Sequence, residues 1–290
     1  MRQGEIKMAI KIVTDSTADL SPELIQRFNI IVVPLSVVFG SRVFADTTDF
    51  RGTIFYDKVK EMKVHPKSTQ ATPGDFTKVF KPILDAGDEV IYVALSSGLS
   101  GTINSAANAV EELGAVDRVH IVDSRNLSMG IGLLTCRAAE MVGKGQTADA
   151  IVKELERLVP RIRVAFIVHN LDYLYKGGRL NVAQAVMGNL LNVHPMIGVA
   201  DGKMSVIEKV RGKWEKALLE LVAVQLGKPE KVDPHMISIT HSAGVPESKF
   251  LYDKVAKIVP EANIVTTEAG AVISCHCGPG TIGILYIEKE

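Results

Sequence analysis

Short apolar runs alternate with amphipathic stretches through the first half of the chain. "AIKIVTDS" (9–16) is apolar until its polar end and predicts a buried strand entering a turn. "SPELIQRFN" follows, with Ser at a helix N-cap position and Pro at the first helical position. "IIVVPLSVVF" predicts a second strand region. The helix "DFTKVFKPILDAG" closes at Gly87. "EVIYVAL" and "RVHIVDS" predict strands, each followed by a helix: "TINSAANAVEELG" and "LSMGIGLLTCRAAEMVGKG". Strand and helix in strict alternation imply a parallel sheet covered by helices on both faces.

The helix "TADAIVKELERLVPR" leads into a second half with a different rhythm. "VAFIVHN" predicts a strand and "VAQAVMGNLL" a short helix. "HPMIGVADGKMSVIEKV" predicts two strands around the turn pair Asp201-Gly202. "KWEKALLELVAVQLG" and "PESKFLYDKVAKIV" predict helices. "HMISITHS", "ANIVTTEAG" and "TIGILYIEK" predict strands. A boundary near 158 divides the chain into an N-terminal parallel α/β domain (1–158) and a C-terminal α/β domain (159–290).

Composition narrows the class. The chain has 290 residues, enough for two cores, and Lys+Arg equals Asp+Glu at 33 each. No basic surplus points to nucleic acid. No apolar run reaches the ~18–20 residues that cross a bilayer, so no stable membrane insertion is expected. The N-terminus lacks a cleavable apolar region, and folded structure is expected to begin near Met8. Three cysteines do not make a disulfide framework, and a cytoplasmic setting is expected.

Chemistry is less obvious. Cys275-His276-Cys277 looks like a metal clip. Taken as a strand, it would put His276 on the face opposite both thiols, so no metal site is expected. The glycines of "GPGTIG" run into "ILYIEKE" rather than into a helix, which excludes a dinucleotide loop. No GxxxxGK[ST] occurs, so the chain carries no recognisable ATP loop. "ALSSGLSGTINSA" places Ser96, Ser97 and Gly98 between a strand end and a helix start, where an anion can be held. Asp15 and Asp123 end other strands and are expected to order their loops. Ser68, Thr69 and Gln70 precede a helix, and Lys176 and Arg179 flank a glycine pair. Together these loops predict one polar mouth above a parallel sheet. A serine hydrolase using Ser97 or Ser100 with His276 or His241 is the competing enzyme reading, although the loop does not fit Gly-x-Ser-x-Gly. A lipid-responsive regulator is a third.

The ordered set "VTDSTADL", "STQATPGDF", "LSSGLSGTINSA", "VDSRNLSMGIG", "YLYKGGRL", "THSAGVPE" and "CHCGPGTIGILY" resembles the DegV family of fatty-acid-binding proteins across residues 11–287. The resemblance implies a Rossmann-like N-terminal parallel-sheet domain and a C-terminal domain with a mixed sheet. It implies one long-chain fatty acid between them, such as palmitate, stearate or oleate, and no other cofactor. It implies a non-enzymatic carrier whose partner is a fatty acid kinase that converts the bound carboxylate to an acyl phosphate; separately from the resemblance, a monomer is expected. By this match Ser68, Thr69, Ser96, Ser97, Gly98 and His276 are expected to hold the carboxylate. Arg179 and Arg211 are expected near the head group or in phosphotransfer. The stretch 182–197, with Met187 and Met196, is expected to line the acyl tunnel. The chain departs from the family's usual pattern at Ser68-Thr69-Gln70-Ala71, where the hydroxyls are swapped, at His194 and at Trp214.

Overall fold

The computed structural model describes residues 8–169, 171–180 and 192–290. The predicted short helix and Met187 lie outside the described residues. The chain builds two main sheets with helices between and around them. Strands β1 (Ile10–Asp15), β2 (Ile31–Val33), β6 (Glu89–Ala94) and β7 (Val119–Asp123) form a parallel sheet in the order β2-β1-β6-β7. Ser21 caps α1 (Pro22–Phe28) as the sequence signals, and α3 (Pro73–Asp85) begins two residues earlier than expected, at a capping box of Thr72 with Asp75. Helices α4 (Thr102–Glu112), α5 (Met129–Gly143) and α6 (Ala148–Leu158) complete this half.

The second sheet is mixed. Its order is β10-β9-β8-β13-β11-β12, from β8 (Ile162–Ile167), β9 (Val193–Ala200), β10 (Lys203–Arg211), β11 (Val232–His241), β12 (Ile264–Glu268) and β13 (Ile282–Glu288). Only the β11–β12 pair is parallel. The β9–β10 hairpin turns at Asp201 and Gly202, with φ of 50° and 77°, the double positive φ that a two-residue hairpin turn requires. Helices α8 (Trp214–Leu226) and α9 (Val245–Ile258) cover the outer face of this sheet. There Leu221 and Leu251 pack with Ile237, Ile239, Ile284 and Met196. Met196 is therefore a core residue on the face away from the first sheet, and the expected tunnel role fails for it. The inner face carries Val164, Phe166 and Leu285, which join a core shared with the first sheet.

Three features escaped the periodicity wholly or in part; of the first, only β3 falls within a predicted strand region, "IIVVPLSVVF". Strands β3 (Ser36–Phe39), β4 (Arg42–Ala45) and β5 (Lys67–Thr69) form a small antiparallel sheet in the order β4-β3-β5, followed in its middle by α2 (Gly52–Met62). Each strand is three or four residues long, too short for an alternation to register. Helix α7 (Asp172–Lys176) is one turn long. Cys275-His276-Cys277 ends a helix, α10 (Ala271–Cys277), and is not a strand. The three side chains therefore do not alternate across a strand as expected. Both thiols are buried, and no group of three or more ligating side chains occurs among the described residues.

Candidate functional site

A cavity of about 270 Å³ lies between the inner face of the mixed sheet and the loops that leave the carboxyl ends of the parallel strands. Thr17, Leu95, Leu99, Leu127 and Ser128 come from those loops, and Val164, Phe166, Gly283 and Leu285 from the sheet. This is where open parallel sheets expose unpaired loop backbone to a ligand. Asp15 and Asp123 order the loops, as the sequence suggested. Asp15 accepts bonds from the Tyr92 hydroxyl at 2.8 Å and the Leu95 amide at 3.0 Å, while Asp123 accepts from the Arg125 amide at 2.9 Å.

Most of the wall is apolar, and its deeper hydroxyls already have partners. Thr240 is bonded to Thr267 at 2.9 Å, Ser242 to Tyr56 at 2.6 Å and to Ser274 at 2.8 Å, and Thr281 donates to the Cys277 carbonyl at 2.8 Å. A satisfied hydroxyl presents mostly its carbon surface, so this wall tolerates an apolar guest.

One side of the cavity is different. Here β5 brings Ser68 and Thr69, α10 brings His276, and the turn after α7 brings Arg179. His276 Nε2 lies 2.7 Å from Ser68 Oγ, while its Nδ1 is buried without a hydrogen-bond partner. Burial, with Arg179 and His65 nearby, lowers the His276 pKa to about 4, so the ring is neutral near pH 7. Gly177 explains the glycine pair of "KGGR". A Cβ there would sit 2.1 Å from His276 Nδ1, so only glycine lets the turn close on the imidazole. Arg179 is exposed and donates to the Gly177 carbonyl at 2.8 Å and to the Leu99 carbonyl at 3.4 Å.

The hydroxyl-rich loop 96–98 has another occupation. Ser96 donates to the Gly202 carbonyl at 2.8 Å, and Ser97 to Asp123 at 2.6 Å. A Cβ at Gly98 would lie 2.6 Å from the same Gly202 carbonyl. Ser96 and Gly98 grip the β9–β10 turn, Ser97 is held by Asp123, and none of the three lines the cavity; Leu99, Ser100 and Gly101 line it instead. Arg211 is exposed at the opposite end of that hairpin, paired with Val193, and it too stands off the cavity wall. Ser100 is bonded to Thr102 at 2.9 Å, and His241 Nδ1 accepts from the Gly244 amide at 3.2 Å. Among the described residues no hydrogen bond joins Ser97 or Ser100 to a histidine, so the hydrolase constellation is not assembled.

Sequence reasoning missed the short strand that carries Ser68 and the helix that carries His276. It also missed Asp19 and Asp46. Both are buried, and their carboxylates accept the Gly270 and Ala271 amides at the start of α10, each at 2.7 Å. A buried carboxylate in a loop leaves no periodic signal.

Fold and site together define a two-sheet α/β protein that encloses an apolar cavity with polar groups gathered on one side. The chain belongs to the DegV family: the family model, described as an uncharacterised protein of the DegV family, matches residues 9–289. A DegV domain-containing protein of Caldanaerobacter subterraneus subsp. tengcongensis is 34% identical over 283 residues, covering 97% of this chain and 99% of that one. A Thermus thermophilus DegV family protein described for its fatty acid binding is 33% identical, with a TM-score of 0.86 over 97% of this chain and 100% of that one. DegV of Bacillus subtilis, described as a fatty acid binding protein, is 30% identical, with a TM-score of 0.83 over 97% and 100%. Among the described residues, no helix is long and apolar enough to cross a membrane.

Proposed function

We propose that this protein binds one long-chain fatty acid in the cavity, with its carboxylate at Ser68, Thr69 and His276. The observation that carries this reading is the Ser68–His276 pair at one side of a largely apolar cavity, bonded to each other, with His276 Nδ1 buried and unpartnered. A buried carboxylate needs hydrogen bonds or a counter-charge. The Ser68 and Thr69 hydroxyls and the neutral imidazole supply donors, and Arg179 supplies positive charge at the rim. Ser96, Ser97 and Gly98 act at one remove, by fixing the loop whose next residues form the wall.

The apolar remainder fits an acyl chain. About fourteen methylenes at ~0.8 kcal/mol each contribute roughly 11 kcal/mol on burial. Association costs of about 4–15 kcal/mol oppose this, so a preformed cavity is needed for tight binding. Mass spectrometry of the purified protein, native and then denatured, tests the reading. Loss of a few hundred daltons with a fatty acid in the organic extract supports it. A protein that neither carries nor takes up palmitate or oleate overturns it.

The carrier then presents its carboxylate to a partner kinase that forms an acyl phosphate, with Arg179 at the rim of the cavity. Two sequence facts favour this: the family resemblance and the missing phosphate loop. Loaded protein, ATP and the kinase should yield an acyl phosphate that hydroxylamine traps as a hydroxamate. No hydroxamate with active kinase and loaded carrier would end this part of the reading.

A further inference from the structure

The helix that carries His276 does not begin on its own half of the molecule. Its first two amides, Gly270 and Ala271, donate to Asp19 and Asp46, both from the N-terminal half and both buried. Asp19 also accepts the Ser128 hydroxyl at 2.5 Å, and Ser128 lines the cavity. Arg51 stands beside them and donates to the Leu20 carbonyl at 3.0 Å and to the Glu268 carbonyl at 3.1 Å, one from each half. The side chain of Asp46 is packed so close to Gly270 that a Cβ there would lie 2.7 Å from its Oδ1.

No side chain of the helix's own half caps this start. A seven-residue helix has few internal hydrogen bonds, and its orientation depends on its end contacts. From this geometry we infer that Asp19 and Asp46 are positioning residues for the acid end of the ligand. They fix the start of α10 so that His276, on its last turn, meets Ser68. This inference rests on the proposed carboxylate site. It goes beyond it by assigning the discrimination between an acid and an uncharged lipid to two residues that touch no ligand.

The test compares palmitate with cetyl alcohol, which shares the chain and lacks the carboxylate. Both are measured by displacement of a fluorescent lipid probe. Asp19→Ala and Asp46→Ala remove an acceptor, and Gly270→Ala displaces the Asp46 carboxylate. Each is expected to lower the preference for the acid by about tenfold, the scale of one charge-assisted hydrogen bond, while leaving alcohol binding near wild type. Asp19→Asn and Asp46→Asn keep an acceptor oxygen and are expected to retain the preference. A folded Ala variant with an unchanged acid-to-alcohol ratio overturns the inference, as does equal loss of both ligands. Should none of the Ala variants fold, amide exchange in the wild-type protein decides: Gly270 and Ala271 are expected to be better protected with palmitate than with cetyl alcohol, and equal protection overturns the inference. Wild-type protein that binds neither lipid would instead overturn the proposed function.

Discussion

The Nε2 atom of His276 lies 2.7 Å from the hydroxyl of Ser68, across 208 positions of sequence. The contact joins a strand of the small sheet in the first half to a helix of the second. Both residues line the same cavity, so closing the two halves on each other assembles the proposed acid end of the site.

Removing either partner should weaken acid binding. Ser68→Ala and His276→Ala are each expected to lower palmitate affinity by roughly tenfold to a hundredfold, corresponding to about 1.5–3 kcal/mol for a hydrogen bond to a charged group. The double variant should lose less than the sum, because the two groups share one ligand and one contact. Titration calorimetry reads this directly, and unchanged affinity in both single variants would remove the pair from the site.

The two glycines of "KGGR" should separate packing from backbone strain. Gly177→Ala places a methyl group against His276 Nδ1 and is expected to lower palmitate affinity as His276→Ala does. Gly178 has φ +67° and open space around its would-be Cβ. Gly178→Ala should therefore lower stability by about 1–2 kcal/mol and leave affinity intact. Equal affinity losses in both variants would show that the turn, not the imidazole contact, is what matters.

Stability should depend on pH in two opposed ways. Burial raises Asp19 to about 7 and Asp46 to about 6, from 3.8, although Arg51 and the α10 amides pull them down. The folded chain then holds protons that the unfolded chain has released, so the stability these groups contribute is full below about pH 4 and lost as pH rises through 6 and 7. His276, lowered from 6.5 to about 4, acts in the other direction: its contribution is full above 6.5 and lost as pH falls through 4. Asp46→Asn should flatten the loss between about pH 3 and 7 by roughly 3 kcal/mol, at 1.36 kcal/mol per unit over the interval from 3.8 to about 6. Thermal melts across that range check it, and parallel profiles for wild type and variant would contradict the assignment.

The inner face of the mixed sheet should set the length of the bound chain. Val164 and Leu285 point into the cavity from neighbouring strands, paired in register. Val164→Phe narrows the space and should shift the extracted lipid toward shorter acids, at a stability cost of about 1–3 kcal/mol for overpacking. Lipid extraction with mass spectrometry reads the shift, and an unchanged chain profile would move the acyl path elsewhere in the cavity.

The sequence by itself determined the long elements and the class. Apolar runs and capped helices wrote β1, β6, β7 and α3 to α6 almost residue by residue, because local periodicity and caps are local physics. Asp201-Gly202 announced its hairpin for the same reason, and the ordered loop motifs marked the family. The tertiary structure decided what those loops do. Ser96 sits at a strand end that usually binds anions, yet it holds a hairpin turn from the other half, a partner that no local pattern reveals. Ser68 and His276 meet only because two sheets close on each other. The short strand and the short helix that carry them derive their order from that packing rather than from propensity. Asp19 and Asp46 are buried carboxylates whose meaning lies in amides more than two hundred residues away. The chain encodes these contacts through long-range burial and hydrogen bonding, which become visible only when the surfaces that desolvate them are brought together.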